Sequence, residues 1–103
     1  MPKGYWFGQV DVIESEPYSE YARAAKKAVK KYGGRYLVRG GAHTGFEGDW
    51  RSRHVLIEFD SYRVALDCYN SAEYQQARAL RIGKADAELL VVEGSDEESA
   101  RPS

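Results

Sequence analysis

The segment Tyr32, Gly33, Gly34, Arg35, Tyr36, Leu37, Val38, Arg39, Gly40, Gly41 constrains the fold most, because it ends a helix and begins a strand within a few residues. Upstream, Tyr18, Tyr21, Ala22, Ala25, Ala28, Val29 and Tyr32 recur at three- and four-residue spacings and form the apolar stripe of an amphipathic helix. Glu16 and Pro17 open that helix, since a proline costs little in a first turn whose N–H groups lack partners. Gly33 stops it by taking a left-handed conformation cheaply. A strand is then expected from Arg35, extending as far as Glu47, with Gly40 and Gly41 marking a bulge or a close backbone approach.

The rest of the chain completes an alternating pattern. Residues 4 to 13 mix aromatic and β-branched types, interrupted only by Gly8, and read as a first strand. Gly48 and Asp49 signal a two-residue hairpin turn into a third strand over residues 50 to 60, with Val55, Ile57 and Phe59 on one face and His54, Leu56 and Glu58 on the other. Ser61 and Ser71 are N-caps for two helical segments, the second closed by Gly83. Residues 87 to 93 form a last strand. The order is the split β-α-β pattern of a ferredoxin-like α+β fold, βαββαβ, with a four-stranded antiparallel sheet. Residues 1 to 94 are read as one domain and residues 95 to 103 as a disordered acidic tail.

At 103 residues the chain has room for a single small core. Strands one and four are apolar on both faces, so a sheet with helices on one side needs a cover for the other, and a second copy of the protein is the simplest one. Net charge is −1, which argues against general nucleic-acid binding; the basic face of the first helix, Arg23 to Lys31, is read as a solvated surface. One cysteine, Cys68, excludes an internal disulfide and suits a reducing compartment as a buried small hydrophobe. With neither a signal-peptide pattern nor a membrane-length apolar run, a cytoplasmic protein is expected.

A two-residue turn at Gly48 and Asp49 sets Arg39 opposite Glu58 and His43 opposite His54. The same register puts Val38, Gly40 and Ala42 on the helix side, and Leu37, Arg39, His43, His54, Leu56 and Glu58 on the second face. There Arg39 could hold a carboxylate or phosphate with its planar fork while Glu58 or His43 moves a proton. The plainer and preferred reading of Arg39 and Glu58 is a structural ion pair. His43 and His54 lack a third ligand at recognisable spacing, so no metal is expected. The aromatics Tyr5, Trp6, Phe7, Trp50, Tyr69 and Tyr74 could line a pocket for a flat ligand, but core is their default role.

The aromatic first strand with Tyr5 and Trp6, the Tyr18 to Tyr21 helix start, Gly33 to Gly41, the Glu47 to Trp50 turn, Glu58 with Phe59, and Ser71, Ala72, Glu73, Tyr74 to Arg81 together resemble the family of domains of unknown function numbered 1330, over residues 4 to 94. The resemblance implies a dimeric α/β barrel whose facing sheets enclose potential ligand pockets. It carries no catalytic set. Arg39, His43, Glu58, Tyr74 and Arg81 are the family-like polar positions, joined by Trp50 and His54 as ligand candidates. A homodimeric small-molecule binder is the first functional expectation, in which Arg39 or Arg81 anchors a small carboxylate or aromatic metabolite and Glu58 or His43 serves as acid or base, with no cofactor, membrane or nucleic acid involved. A non-catalytic dimeric interaction module is the alternative, and a cofactor-free monooxygenase or haem protein the third.

Overall fold

The computed structural model describes residues 2–95; the rest of the expected tail lies outside the described residues. Seven elements follow in order: β1 (Gly4–Val12), α1 (Ser15–Lys31), β2 (Arg35–Arg39), β3 (Arg53–Phe59), α2 (Tyr62–Tyr69), α3 (Ala72–Arg81) and β4 (Ala85–Glu93). The four strands form one antiparallel sheet in the order β2-β3-β1-β4, which is the ferredoxin-like arrangement.

The expected stops and caps are in place. Gly33, at φ 75°, donates to Lys30 O, and Gly34 donates to Val29 O; these paired bonds satisfy the last carbonyls of α1. The Ser61 hydroxyl accepts from Val64 N and the Ser71 hydroxyl from Tyr74 N, so both short helices start on a side-chain cap. Trp6, Phe59, Tyr69 and Tyr74 build an aromatic centre, with Trp6 and Tyr74 ring centroids 4.8 Å apart. Trp6 Nε1 also donates to Ala65 O at 2.9 Å, which ties α2 to the central strand and satisfies the buried indole.

Strand β2 departs from expectation in three ways. It stops at Arg39, and residues 40–52 form a long connection where a two-residue hairpin was expected. Trp50 Nε1 donates to Glu47 O, while Arg51 N and Ser52 N donate to the side chains of Gln9 and Asp11, so these backbone groups find partners outside a β ladder. The register also shifts between Tyr36 and Val38, placing the bulge at Leu37 and not at the glycine pair. Tyr36 faces the helices beside Ile57, whereas Val38 pairs with Leu56 on the opposite face and Arg39 pairs with Val55 on the helix side. Arg39 and Val38 have thus exchanged their expected faces, because one extra residue inverts every side chain beyond it.

The helices cover one side of the sheet. α2 packs on the strands, while α1 packs against α3 and lays Tyr18, Ala25, Ala28 and Val29 into the core against the sheet. The other side leaves Leu37, Val38, Leu90 and Val92 at 39 to 53% exposure. No helix among the described residues is long and apolar enough to cross a membrane.

Candidate functional site

The gap under α1 is a cavity of about 50 Å³. Small residues create it: Gly8 and Ala87 on the strands face Ala22 and Ala25 on the helix, so large side chains close only its margins. Trp6, Tyr18, Tyr21, Tyr36, Val55, Ile57 and Leu89 supply an aromatic and aliphatic wall, and Arg39, Arg53 and Arg81 supply the charge. An apolar hollow with a few convergent polar groups is the usual construction of a small-molecule site.

Each arginine lies over a tyrosine ring. The Arg39 guanidinium carbon is 4.7 Å from the Tyr36 centroid, Arg53 is 5.8 Å from Tyr18, and Arg81 is 5.2 Å from Tyr21. Stacking occupies the face of a guanidinium and leaves its in-plane N–H groups available for an oxyanion. Among the described residues none of the three forms an ion pair with a carboxylate. Their exposure is graded: Arg39 is open to solvent, Arg53 is half-buried and Arg81 retains 8% exposure.

Arg81 sits at the end of α3, where a cation suits the helix dipole. Its Nη2 donates to the Tyr74 hydroxyl at 3.4 Å, and the Tyr74 and Tyr21 hydroxyls share a hydrogen bond of 2.9 Å. Burial works against the Arg81 charge, but the hydrogen bond to Tyr74 and the neighbouring tyrosines outweigh it and raise its pKa. Burial, followed by the proximity of Tyr74, pushes the Tyr21 hydroxyl far above its ordinary value, so it stays a protonated donor. Arg53 Nε is buried and has no hydrogen-bond partner among the described residues. Gly40 makes room for that guanidinium: at φ 74° it is left-handed, and a Cβ there would come within 2.2 Å of an Arg53 nitrogen.

The other sequence candidates lie elsewhere. The expected pairing of Arg39 with Glu58 is replaced by Arg35 with Glu58, because the strands meet in the register that sets Arg35 opposite Glu58. Arg35 Nη2 and Nε donate to Glu58 Oε1 at 2.6 and 3.1 Å, and the Tyr5 hydroxyl donates to Oε2 at 3.0 Å. Those bonds, Arg35 first and Tyr5 second, hold the Glu58 carboxyl below its usual range. It is a fixed carboxylate on the face opposite the cavity. His43 and His54 are not ladder partners, yet their ring centroids lie 4.4 Å apart, with Trp50 6.1 Å from His54. The geometry therefore brings together Arg39, Arg81 and Tyr74, and separates Glu58 from His43, His54 and Trp50.

Arg53 and Tyr21 were missed as site residues. The sequence signal for the cavity was Gly8, an unexplained gap in an otherwise bulky strand. Among the described residues no three or more His, Cys, Asp or Glu side chains gather as metal ligands.

Residues 3–95 match the family described as Domain of unknown function (DUF1330). The chain belongs to that family. A DUF1330 domain thus accounts for nearly all of it. Among solved structures, the protein of unknown function RPA0582 from Rhodopseudomonas palustris is similar at 16% identity, with 92% of this chain and 84% of that one covered and a TM-score of 0.71. A dimeric ferredoxin-like protein of unknown function from Thermobifida fusca is similar at 10% identity, 89% and 91% coverage and TM-score 0.51. A candidate antibiotic biosynthesis monooxygenase from Nitrosomonas europaea is similar at 15% identity, 91% and 98% coverage and TM-score 0.52. At such identities the likeness establishes the fold alone. No curated protein matches the chain.

Proposed function

We propose that this DUF1330 protein is a homodimeric binder of a small oxyanion-bearing metabolite, with the cavity under α1 as its site. The observation that carries the reading is Arg81, a cation at 8% exposure with no carboxylate against it among the described residues. Tyr74 and Tyr21 hold that guanidinium in place without neutralising it, so it remains a positioned cation that an anion could pair with. The ring walls of Tyr18, Tyr21 and Tyr36 suit an apolar or flat body on that anion.

The cavity is built for binding more than for proton transfer. Burial raises Tyr21 and Tyr36, so both hold their protons, and the two acid–base candidates Glu58 and His43 do not line it. A thermal-shift screen of organic oxyanions at constant ionic strength tests the reading, since a ligand at about 100 times its Kd adds about 2.7 kcal/mol. Hits are expected to lose their shift in Arg81→Met and Arg39→Ala and to keep it in Arg63→Ala, whose exposed guanidinium pairs with Asp67 away from the cavity. Equal shifts in all three variants would sink the assignment.

Homodimer formation is supported by the uncovered apolar face, where Tyr5, Phe7, Leu37, Leu56, Leu90 and Val92 line one shallow groove. A second sheet laid on it would supply the missing layer. Sedimentation across a dilution series should give a dimer that Leu90→Asp dissociates. A wild-type monomer at every concentration contradicts this part.

A further inference from the structure

Three arginines are more charge than a single carboxylate needs. Among the residues lining the cavity only Glu88 is acidic, and its carboxylate is engaged by both Arg51 and Gln9. Nothing acidic in the wall therefore answers Arg39, Arg53 and Arg81. A monoanion seated on Arg81 would leave Arg53 and Arg39 without an acidic partner among the lining residues. The graded exposure also gives the charges an order: Arg81 lies deepest, Arg53 is half-buried with an unpartnered Nε, and Arg39 stands in solvent at the mouth.

Two features hold this arrangement open for a ligand. Gly40 leaves the space that the Arg53 guanidinium fills, so the second cation lies directly against the backbone at the end of β2. The Tyr21 hydroxyl already shares the Tyr74 hydroxyl with Arg81, so a protonated phenol and a guanidinium stand together at the deep end. Short, charge-assisted bonds from such donors are what distinguish oxyanions from neutral ligands.

We propose that the cavity selects small ligands carrying at least two negative charges on oxygen, the first seated on Arg81 and Tyr21 and the second on Arg53 and Arg39. This refinement rests on the oxyanion reading above. Its chemistry is shared by short dicarboxylates and by phosphate groups, and the limited volume of about 50 Å³ favours compact members of either class. An extended or bulky polyanion does not fit without moving α1.

Isothermal titration of the full chain at fixed ionic strength, in a chloride buffer, separates the possibilities with propionate, succinate, citrate and inorganic phosphate as probes. Succinate or phosphate is expected to bind at least about tenfold more tightly than propionate, tenfold being the effect of one modest charged contact. The tighter of succinate and phosphate identifies the oxyanion type. In Arg53→Gln and Arg39→Gln that preference should fall toward unity, whereas Arg81→Met should weaken all four probes together. Circular dichroism and the melting curve show that these variants are folded. Equal affinity for propionate and succinate, with phosphate no tighter, overturns the dianion claim and leaves the oxyanion site standing. Failure of all four probes to bind overturns both.

Discussion

Replacing Arg81 by Met should leave the unliganded protein about as stable while removing its hold on an anion. The guanidinium is 8% exposed, and it meets Tyr74 through a hydrogen bond of 3.4 Å and Tyr21 through both the hydroxyl and the face of the ring, 5.2 Å from the centroid. The long hydrogen bond is worth about 1 kcal/mol and the ring contact about 1 kcal/mol more. Burial opposes the charge by a comparable amount, which these contacts outweigh. Methionine fills a similar length with an apolar, adaptable side chain. The Tyr74 hydroxyl is not orphaned, since Tyr21 still meets it at 2.9 Å.

The net expectation is a change within about 1 kcal/mol, equivalent to roughly 5 °C or less in Tm for a domain of this size. Urea denaturation in Tris chloride, free of carboxylate and phosphate, measures it. The same variant should lose the thermal shift produced by oxyanions, which separates a binding role from a structural one. A loss of 1 kcal/mol or more in the unliganded variant would show that Arg81 is a structural brace, and the reasoning from its unpaired charge would fail.

Three further outcomes follow from particular contacts. Gly4→Ala should cost about 3 kcal/mol by thermal denaturation, because the new Cβ would sit 2.3 Å from the backbone oxygen of Ser61; Gly41→Ala, with open space around it, should change little. Glu58 is held below the ordinary value of 4.5 by Arg35 and Tyr5, so its contribution is present above about pH 4.5 and lost as pH falls through its lower folded-state value. The stability deficit of Glu58→Gln in urea melts should therefore be visible at pH 7 and shrink at pH 3, and a deficit independent of pH would contradict the pairing. Burial pushes the Cys68 thiol up to about 12, so native protein should react with a thiol reagent at pH 8 at least about 100-fold more slowly than denatured protein, and comparable rates would refute its burial.

The helices and caps were legible because their signals are local: the stripe from Tyr18 to Tyr32, the stop at Gly33 and the serine caps need only neighbours in sequence. The alternation of Val55, Ile57 and Phe59 likewise placed β3 correctly, since both of its faces meet different surroundings. The register of β2 was not legible. Gly40 and Gly41 drew the bulge toward themselves, whereas the extra residue is Leu37, whose side chain gives no hint of it. Gly48 and Asp49 looked like a hairpin, but distant partners on β1 and β4 hold residues 51 and 52.

The site suffered from the same slip. Arg39 was placed on the wrong face, and Glu58 was assigned to it when Arg35 was the partner. Arg81 and Tyr74 could be named from the resemblance, but their burial without a carboxylate is a property of packing between α1, α3 and the sheet. Gly8 and Ala25 mark the cavity only once the opposing element is known.

The most direct measurement is a proton–nitrogen correlation spectrum of the arginine side-chain Nε–H groups during titration with succinate and with phosphate. Arg53 Nε–H, buried and unpartnered, should move downfield saturably, with Arg81 and Arg39 following the same isotherm. Arg35 and Arg51, already paired with Glu58, Asp11 and Glu88, should stay fixed. Uniform small shifts of all five, or movement confined to Arg35 and Arg51, would contradict an oxyanion site under α1.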